Sequence, residues 1–422
     1  MKLQCTGKHL LVINGSRNDT VGLRLARPET RMSLITRQDM FHRVIDLDAY
    51  ERVVVLPATV DSAEWISTAH FINTRDVIDA IVNYTEFSAT ETALIADSLG
   101  LRAYSLDTAR VVNDKNSMRT RLREAGVDDT RSEIITSFDS MQDAAERIGY
   151  PLICKPTRGI SSKGITRIDG PGNLLHAFER GISGATGLDV PDILIEQFHT
   201  GREYSVECLS DSGQHFVVSI TEKHIDAATF VEVGHVVPAP LTPDDTARIE
   251  GTVRRMLTAL GIANGSTHTE VILTDSAVRI VETHLRCGGD RIIEMVRDVT
   301  GIDMPTVAGR QSLGESVHGE LADALRSRPD ERYAAIRYLV PHSPGVVASV
   351  EGYEKALGIE GVQEVVVMQG PGAVVTGLNS SASRLAFARA LGSTPEEAME
   401  RACASVNHLA FQMTTASVDI TA

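Results

Sequence analysis

Thr267-His268-Thr269-Glu270-Val271-Ile272-Leu273-Thr274-Asp275-Ser276-Ala277-Val278-Arg279-Ile280-Val281-Glu282-Thr283-His284-Leu285-Arg286 reads as two strands joined by a turn at Asp275-Ser276-Ala277. A three-residue loop puts Glu270 opposite Glu282, His268 opposite His284 and Ser266 opposite Arg286. All lie on one side, because strand side chains alternate. Carboxylates opposed at roughly 5 Å between Cβ atoms destabilise a hairpin unless a cation sits between them. Hard oxygen donors suit Mg²⁺, which takes one or two carboxylates together with substrate phosphates. Gly288-Gly289 follow directly, and glycine lets backbone amides approach an anion closely. The alternative is a solvated polar face, and a two-residue loop would shift the register.

Upstream, Lys155 ends the apolar run Leu152-Ile153-Cys154 and enters a loop rich in Gly and Ser, with Ser161, Ser162 and Gly164. A lysine there is costly to bury without an anionic partner, and the loop's amides and hydroxyls suit phosphate oxygens. A surface hairpin with a snorkelling lysine explains the same residues. The P-loop spacing GxxxxGK[ST] is absent. Glu196-Gln197-Phe198, five residues before Glu203, offers a strand end whose backbone suits an adenine and a carboxylate that suits ribose hydroxyls. A solvated hairpin is the plainer reading. Asn113-Asp114 predicts an N-cap for a helix opening at Lys115 and closing at Gly126.

The rest divides into four stretches. Residues 1–110 alternate strands (His9 to Asn14, Arg52 to Leu56, Ile78 to Asn83) with helical patterns, which predicts a parallel α/β domain without a GxGxxG fingerprint. Residues 111–195 and 196–310 carry the candidates above, and 311–422 read as an α+β unit. There are 41 Lys and Arg against 56 Asp and Glu, a net charge of -15. That field disfavours nucleic acid and anionic membranes as partners. Five scattered cysteines predict reduced thiols rather than a disulfide framework or zinc site. No apolar run has the length of a membrane helix, and Leu10-Leu11-Val12-Ile13 is too short for a signal peptide, so the cytoplasm is the expected compartment.

Taken in order, Lys115, Lys155 with its Gly/Ser loop, Glu196 to Glu203, and Glu270 to Arg286 resemble the ATP-grasp superfamily over about residues 80 to 310. The resemblance implies an ATP-grasp fold: the N-terminal α/β domain, two ATP-grasp subdomains holding a nucleotide between them, and the C-terminal α+β unit. It implies that Lys115 and Lys155 hold ATP phosphates, Glu196, Gln197 and Phe198 the adenine, and Glu203 the ribose. Glu270 and Glu282 would hold one or two Mg²⁺, and Arg286 the acyl-phosphate, with the Gly288 and Gly289 amides at the oxyanion. Phe230-Val231-Glu232-Val233-Gly234-His235 resembles the substrate segment of the L-amino-acid (dipeptide) ligase branch, which would put Glu232 and His235 beside an amino-acid substrate. Many relatives carry Asn where this chain has His284, so that residue is open between substrate contact and metal ligand. The implied activity is ATP-dependent joining of a carboxylate to the amine of an amino acid, with small-molecule substrates and, as in many relatives, a homodimer. Purine or carboxylation chemistry and a non-catalytic nucleotide-binding module are the competing readings.

Overall fold

In the computed structural model, which describes residues 7–15, 20–44, 46–157, 164–184, 193–327 and 332–414, the first hundred residues build a parallel sheet. Its strand order is Arg52–Leu56, Arg31–Arg37, His9–Ile13, Ala80–Asn83. His9–Ile13 is buried along its whole length, as a central parallel strand must be. The strand Arg31–Arg37 and the helix Ser62–Arg75 were not legible in the pattern. The helix Ala89–Leu99 closes on Gly100 in the left-handed conformation, as its sequence predicts.

A four-stranded antiparallel sheet follows, ordered Ser132–Ile135, Ile193–Gln197, Leu152–Pro156, Thr166–Ile168. The helix Lys115–Glu124 leads into it. The Asp114 side chain caps this helix by accepting from Ser117 N–H at 2.7 Å, and Gly126 follows at φ +64°. Met118 and Leu122 bury one face of the helix. Lys115 and Arg119, four residues apart, share another.

The largest element is an antiparallel sheet of eight strands. In order they are Val278–His284, Gly265–Leu273, Arg202–Asp211, Gln214–Ile225, Glu232–Val237, Tyr333–Leu339, Ala386–Gly392 and Val362–Val367. Strands from the last hundred residues therefore continue the sheet that carries the candidate site. Period-two alternation divides its faces. Tyr204, Val206 and Cys208 go down into a core shared with the helix Pro243–Ala259, while Glu203, Ser205 and Glu207 go up. A three-stranded sheet (Val374–Val375, Gly345–Glu351, Ala410–Thr414) completes the mixed α/β and α+β fold. Among the described residues, no helix is long and apolar enough to cross a membrane.

The hairpin at 265–284 holds the predicted opposition for a different reason. Its tip is the two-residue turn Asp275-Ser276, with Leu273 paired to Val278 and Thr274 N–H donating to Ala277 O at 2.9 Å. A β-bulge at Val281 then adds one residue back, so His268 pairs with His284 and Glu270 with Glu282. The bulge also switches the second strand's facing. Val278 and Ile280 are buried in the core, whereas Glu282 and His284, still even-numbered, line the cleft above. Arg286 lies beyond the paired strand and does not face Ser266.

Candidate active site

The upper face of the large sheet floors a cleft of about 300 Å³ whose rim comes from the other two units. Glu282, Glu270 and Ser205 form one cross-strand row; His284, His268 and Glu207 form the next. The opposed glutamates are each tied to an ammonium. Lys115 Nζ lies 2.9 Å from Glu282 Oε2, and Lys223 Nζ lies 2.7 Å from Glu270 Oε2. Burial would raise both carboxyls. Lys223 beside Glu270 and Lys115 beside Glu282 outweigh it, and both acids lie well below the usual carboxylate range. The converse holds for the lysines: burial lowers them, the carboxylates raise them, and the net direction is up.

Each glutamate also has a histidine neighbour. His268 Nε2 is 3.6 Å from Glu270 Oε1, and His284 Nε2 is 3.3 Å from Glu282 Oε1. The two rings stack at 6.1 Å between centroids with planes 19° apart. His268 Nδ1 hydrogen-bonds to the fully buried Glu207. Burial opposes the imidazolium, but Glu207 prevails, and His268 is pushed up to about 9. The other oxygen of Glu207 accepts from Gly288 N–H at 2.8 Å. That amide is committed inside the fold and is not the oxyanion donor the sequence suggested. Gly289 lines the cleft.

Arg286 reaches across to the N-terminal domain. Its Nε lies 3.1 Å from Glu86 Oε2, its Nη2 contacts the same oxygen, and its Nη1 donates to Cys287 O at 2.8 Å. His284 Nδ1 lies 3.6 Å from that carboxylate.

At the opposite wall Lys155 meets Glu196 rather than open space. Arg119 holds the same carboxylate through Nε at 2.7 Å and Nη2 at 3.2 Å. Burial would raise Glu196, but the two cations bring it to about 2. Lys155 moves down as well, through burial and the nearby charges of Arg119 and Lys115, which together outweigh Glu196. Arg119 also donates to the carbonyls of Ile280 and Val281, filling the gap the bulge opens in the ladder. Gln197 N–H and Phe198 N–H donate to Arg131 O at 2.9 Å and Pro151 O at 3.1 Å. Neither amide, nor the Glu196 side chain, is thus left for an adenine, although all three residues line the cleft. Ser161 and Ser162 lie outside the described residues; Gly164 packs against the helix Leu174–Gly184 at φ +82°.

Glu203 and Glu232 converge with Glu270 on Lys223, at 3.8 Å and 3.4 Å from its Nζ. Glu203 is pushed up, first by burial and then by its two acidic neighbours, Lys223 notwithstanding. Ser381 donates to Glu232 at 3.1 Å, and His235 Nε2 lies 3.4 Å from Asp290 Oδ2. Asp290 is bound by both terminal nitrogens of Arg384, at 2.7 Å and 2.8 Å, and that guanidinium lies 3.8 Å over the Tyr338 ring.

Sequence reasoning did not single out Lys223, Arg119, Glu86, Glu207, Asp290 or Arg384. Two left a trace: Arg119 stands four residues after Lys115 on one helix, and Asp290 follows the glycine pair. The others come from distant strands that only the fold brings together.

Two ionised carboxylates that oppose each other, with lysines and an arginine around them, are of the oxygen-donor type that suits a divalent cation shared with phosphates. Among the described residues no group of three or more His, Cys, Asp or Glu could hold a metal unaided. Residues 148–294 match the model of the ATP-grasp domain, and residues 337–414 that of the L-amino acid ligase C-terminal domain 2. The chain carries an ATP-grasp domain. The stretch that matches the ligase C-terminal domain supplies Ser381 and Arg384 to the cleft. The alanine–anticapsin ligase of Bacillus amyloliquefaciens is 26% identical over 295 residues, 65% of this chain and 62% of that protein. That of Bacillus subtilis (strain 168) is 28% identical over 246 residues, 54% and 52% of the two chains. The similarity thus spans between half and two thirds of these relatives. The L-amino acid ligase of Bacillus licheniformis shares the fold at a TM-score of 0.82 and 22% identity, over 97% of this chain and 99% of the other. Phosphoribosylglycinamide synthetase from Anaerococcus prevotii shares it at 0.71 and 16%, over 97% and 100%.

Proposed function

We propose that this ATP-grasp chain is an ATP-dependent ligase that activates an amino acid's carboxylate as an acyl-phosphate. It then passes the acyl group to the amine of a second amino acid, releasing ADP and phosphate. The observation that carries the reading is the Glu270–Glu282 pair, ionised and opposed beside Arg286, with a separate lysine on each carboxylate. The ligase-type C-terminal domain and the alanine–anticapsin ligases among the relatives favour amino acids over other acids.

A carboxylate is a poor electrophile because oxide would have to leave; phosphorylation supplies phosphate as the leaving group. The transfer needs charge neutralisation and alignment. Mg²⁺ held by Glu270 and Glu282 would bring charge neutralisation to the triphosphate. Lys115 and Lys155 would bind phosphate oxygens. Arg286 would hold the acyl-phosphate and the oxyanion that follows. Glu232 would take the ammonium of the activated amino acid, with His235 and His284 flanking the substrates.

The test is the full chain with ATP, Mg²⁺ and a matrix of amino-acid pairs, read by mass spectrometry for dipeptide and by ADP release. Dipeptide and ADP should appear in equal amounts for some pairs. Glu282→Ala and Arg286→Ala should lower the rate by at least roughly 10²–10³, the typical cost of one transition-state donor, with circular dichroism unchanged. ADP release with formate or bicarbonate, and none with amino-acid pairs, would replace this reading with purine or carboxylation chemistry.

A further inference from the structure

We infer that Glu86 is the seat of the incoming amine's ammonium group, an inference that rests on the ligase reading above. Three observations converge on it. First, among the described residues that line the cleft, Glu86 is the one ahead of Lys115, so it is what they bring to the chemistry from the N-terminal domain. Second, the sheet order puts His9–Ile13 beside both Arg31–Arg37 and Ala80–Asn83, so the strand sequence reverses direction between His9–Ile13 and Ala80–Asn83. Open α/β sheets bind ligands in the crevice outside the carboxyl ends of their strands at such a reversal. Glu86 stands just past the carboxyl end of Ala80–Asn83, at the start of the short helix Glu86–Ser88. Third, its partners are the arginine and histidine at the reacting end of the cleft, 200 residues away for Arg286.

Charge conservation in a dry site gives the reason. Arg286 places Nε and Nη2 on Glu86 and Nη1 on Cys287 O. An acyl-phosphate drawn to the two remaining N–H groups of the guanidinium competes with Glu86 for its charge. A buried carboxylate left without a cation is strongly destabilising. The group that restores the balance is the ammonium of the second amino acid. Phosphate takes the arginine while the ammonium takes Glu86, and the nitrogen comes to rest beside the electrophile. It attacks the acyl carbon after passing one proton to the Glu86 carboxylate, and gives a second to the phosphate that leaves as the C–O bond breaks.

The test is steady-state ADP release from the full chain, varying ATP, the acid and the amine in turn. Glu86→Gln keeps the shape and removes the charge. It should raise the KM for the amine roughly 10- to 100-fold, the value of a hydrogen bond to a charged partner, and leave those for ATP and acid within about twofold. Glu86→Asp should recover part of the loss. The inference falls if the amine KM of Glu86→Gln equals that of the unsubstituted protein. It also falls if all three constants rise together and the melting temperature drops, which is what a merely structural contact would give. If the unsubstituted protein releases no ADP with any amino-acid pair, the ligase reading itself fails and this one goes with it. That failure is visible before any variant is made.

Discussion

Replacing Lys223 by methionine removes one buried cation from among three carboxylates and keeps the length of the side chain. Its side chain is 4% exposed, and it stands 2.7 Å from Glu270, 3.4 Å from Glu232 and 3.8 Å from Glu203. At an effective dielectric near 20, the contact with Glu270 alone amounts to about 6 kcal/mol before desolvation. Breaking a buried pair by deleting one partner costs roughly 3–5 kcal/mol net. We expect Lys223→Met to lose about that much in urea unfolding with EDTA present, followed by far-ultraviolet circular dichroism. The single tryptophan, Trp65, is buried in the N-terminal domain and reports the wrong region. Mg²⁺ should then return stability to the variant, by about 2.7 kcal/mol at 100 times its dissociation constant, and by more than it gives the unsubstituted protein. A variant within about 1 kcal/mol of the parent in EDTA, or one that gains no more from Mg²⁺, would refute the idea that these carboxylates need a cation among them.

Two further outcomes follow from the Glu207–His268 pair. Folding raises His268 from about 6.5 to about 9. The stabilisation is therefore whole below about pH 6.5 and is lost as the pH climbs through about 9. Glu207→Gln should flatten that part of the melting-temperature profile, and parallel profiles for variant and parent would disprove it. A Cβ on Gly288 would sit 2.7 Å from Glu207 Oε1 and 2.9 Å from His268 Nδ1, two atoms already locked together. Gly288→Ala should cost about 1–3 kcal/mol as overpacking, measured by the same unfolding, and an equally stable variant would be evidence of slack at that contact.

The carboxylate pair was legible because opposed acids in one hairpin are anomalous in themselves. Their register was reached by compensation, since the tip is one residue shorter than expected and the bulge at Val281 adds one back. The sequence does hold the clue. Val278, Ile280, Glu282 and His284 are all even-numbered, yet the first two are apolar and the last two polar, and a regular strand would put all four on one face. The sequence offers Lys155 as a phosphate contact, because a lysine there is costly to bury alone, and Glu196 separately, as part of a strand end suited to an adenine. Their pairing with each other and with Arg119 depends on strands 40 residues apart meeting, which no local pattern encodes. The same holds for Glu86 and Lys223, whose carboxylate and ammonium find their partners only through sheet order.

The shared sheet has a practical consequence for dissecting this protein. Val236 and Val237, beside His235, are covered on one side by Tyr333–Leu339, which comes from beyond residue 311. Trimming the chain ahead of that strand would bare the hydrogen-bonding edge of Glu232–Val237 and invite it to stack on other molecules. The segment facing the substrates can thus be probed by point substitution or by exchanging the C-terminal piece whole, but not by truncation.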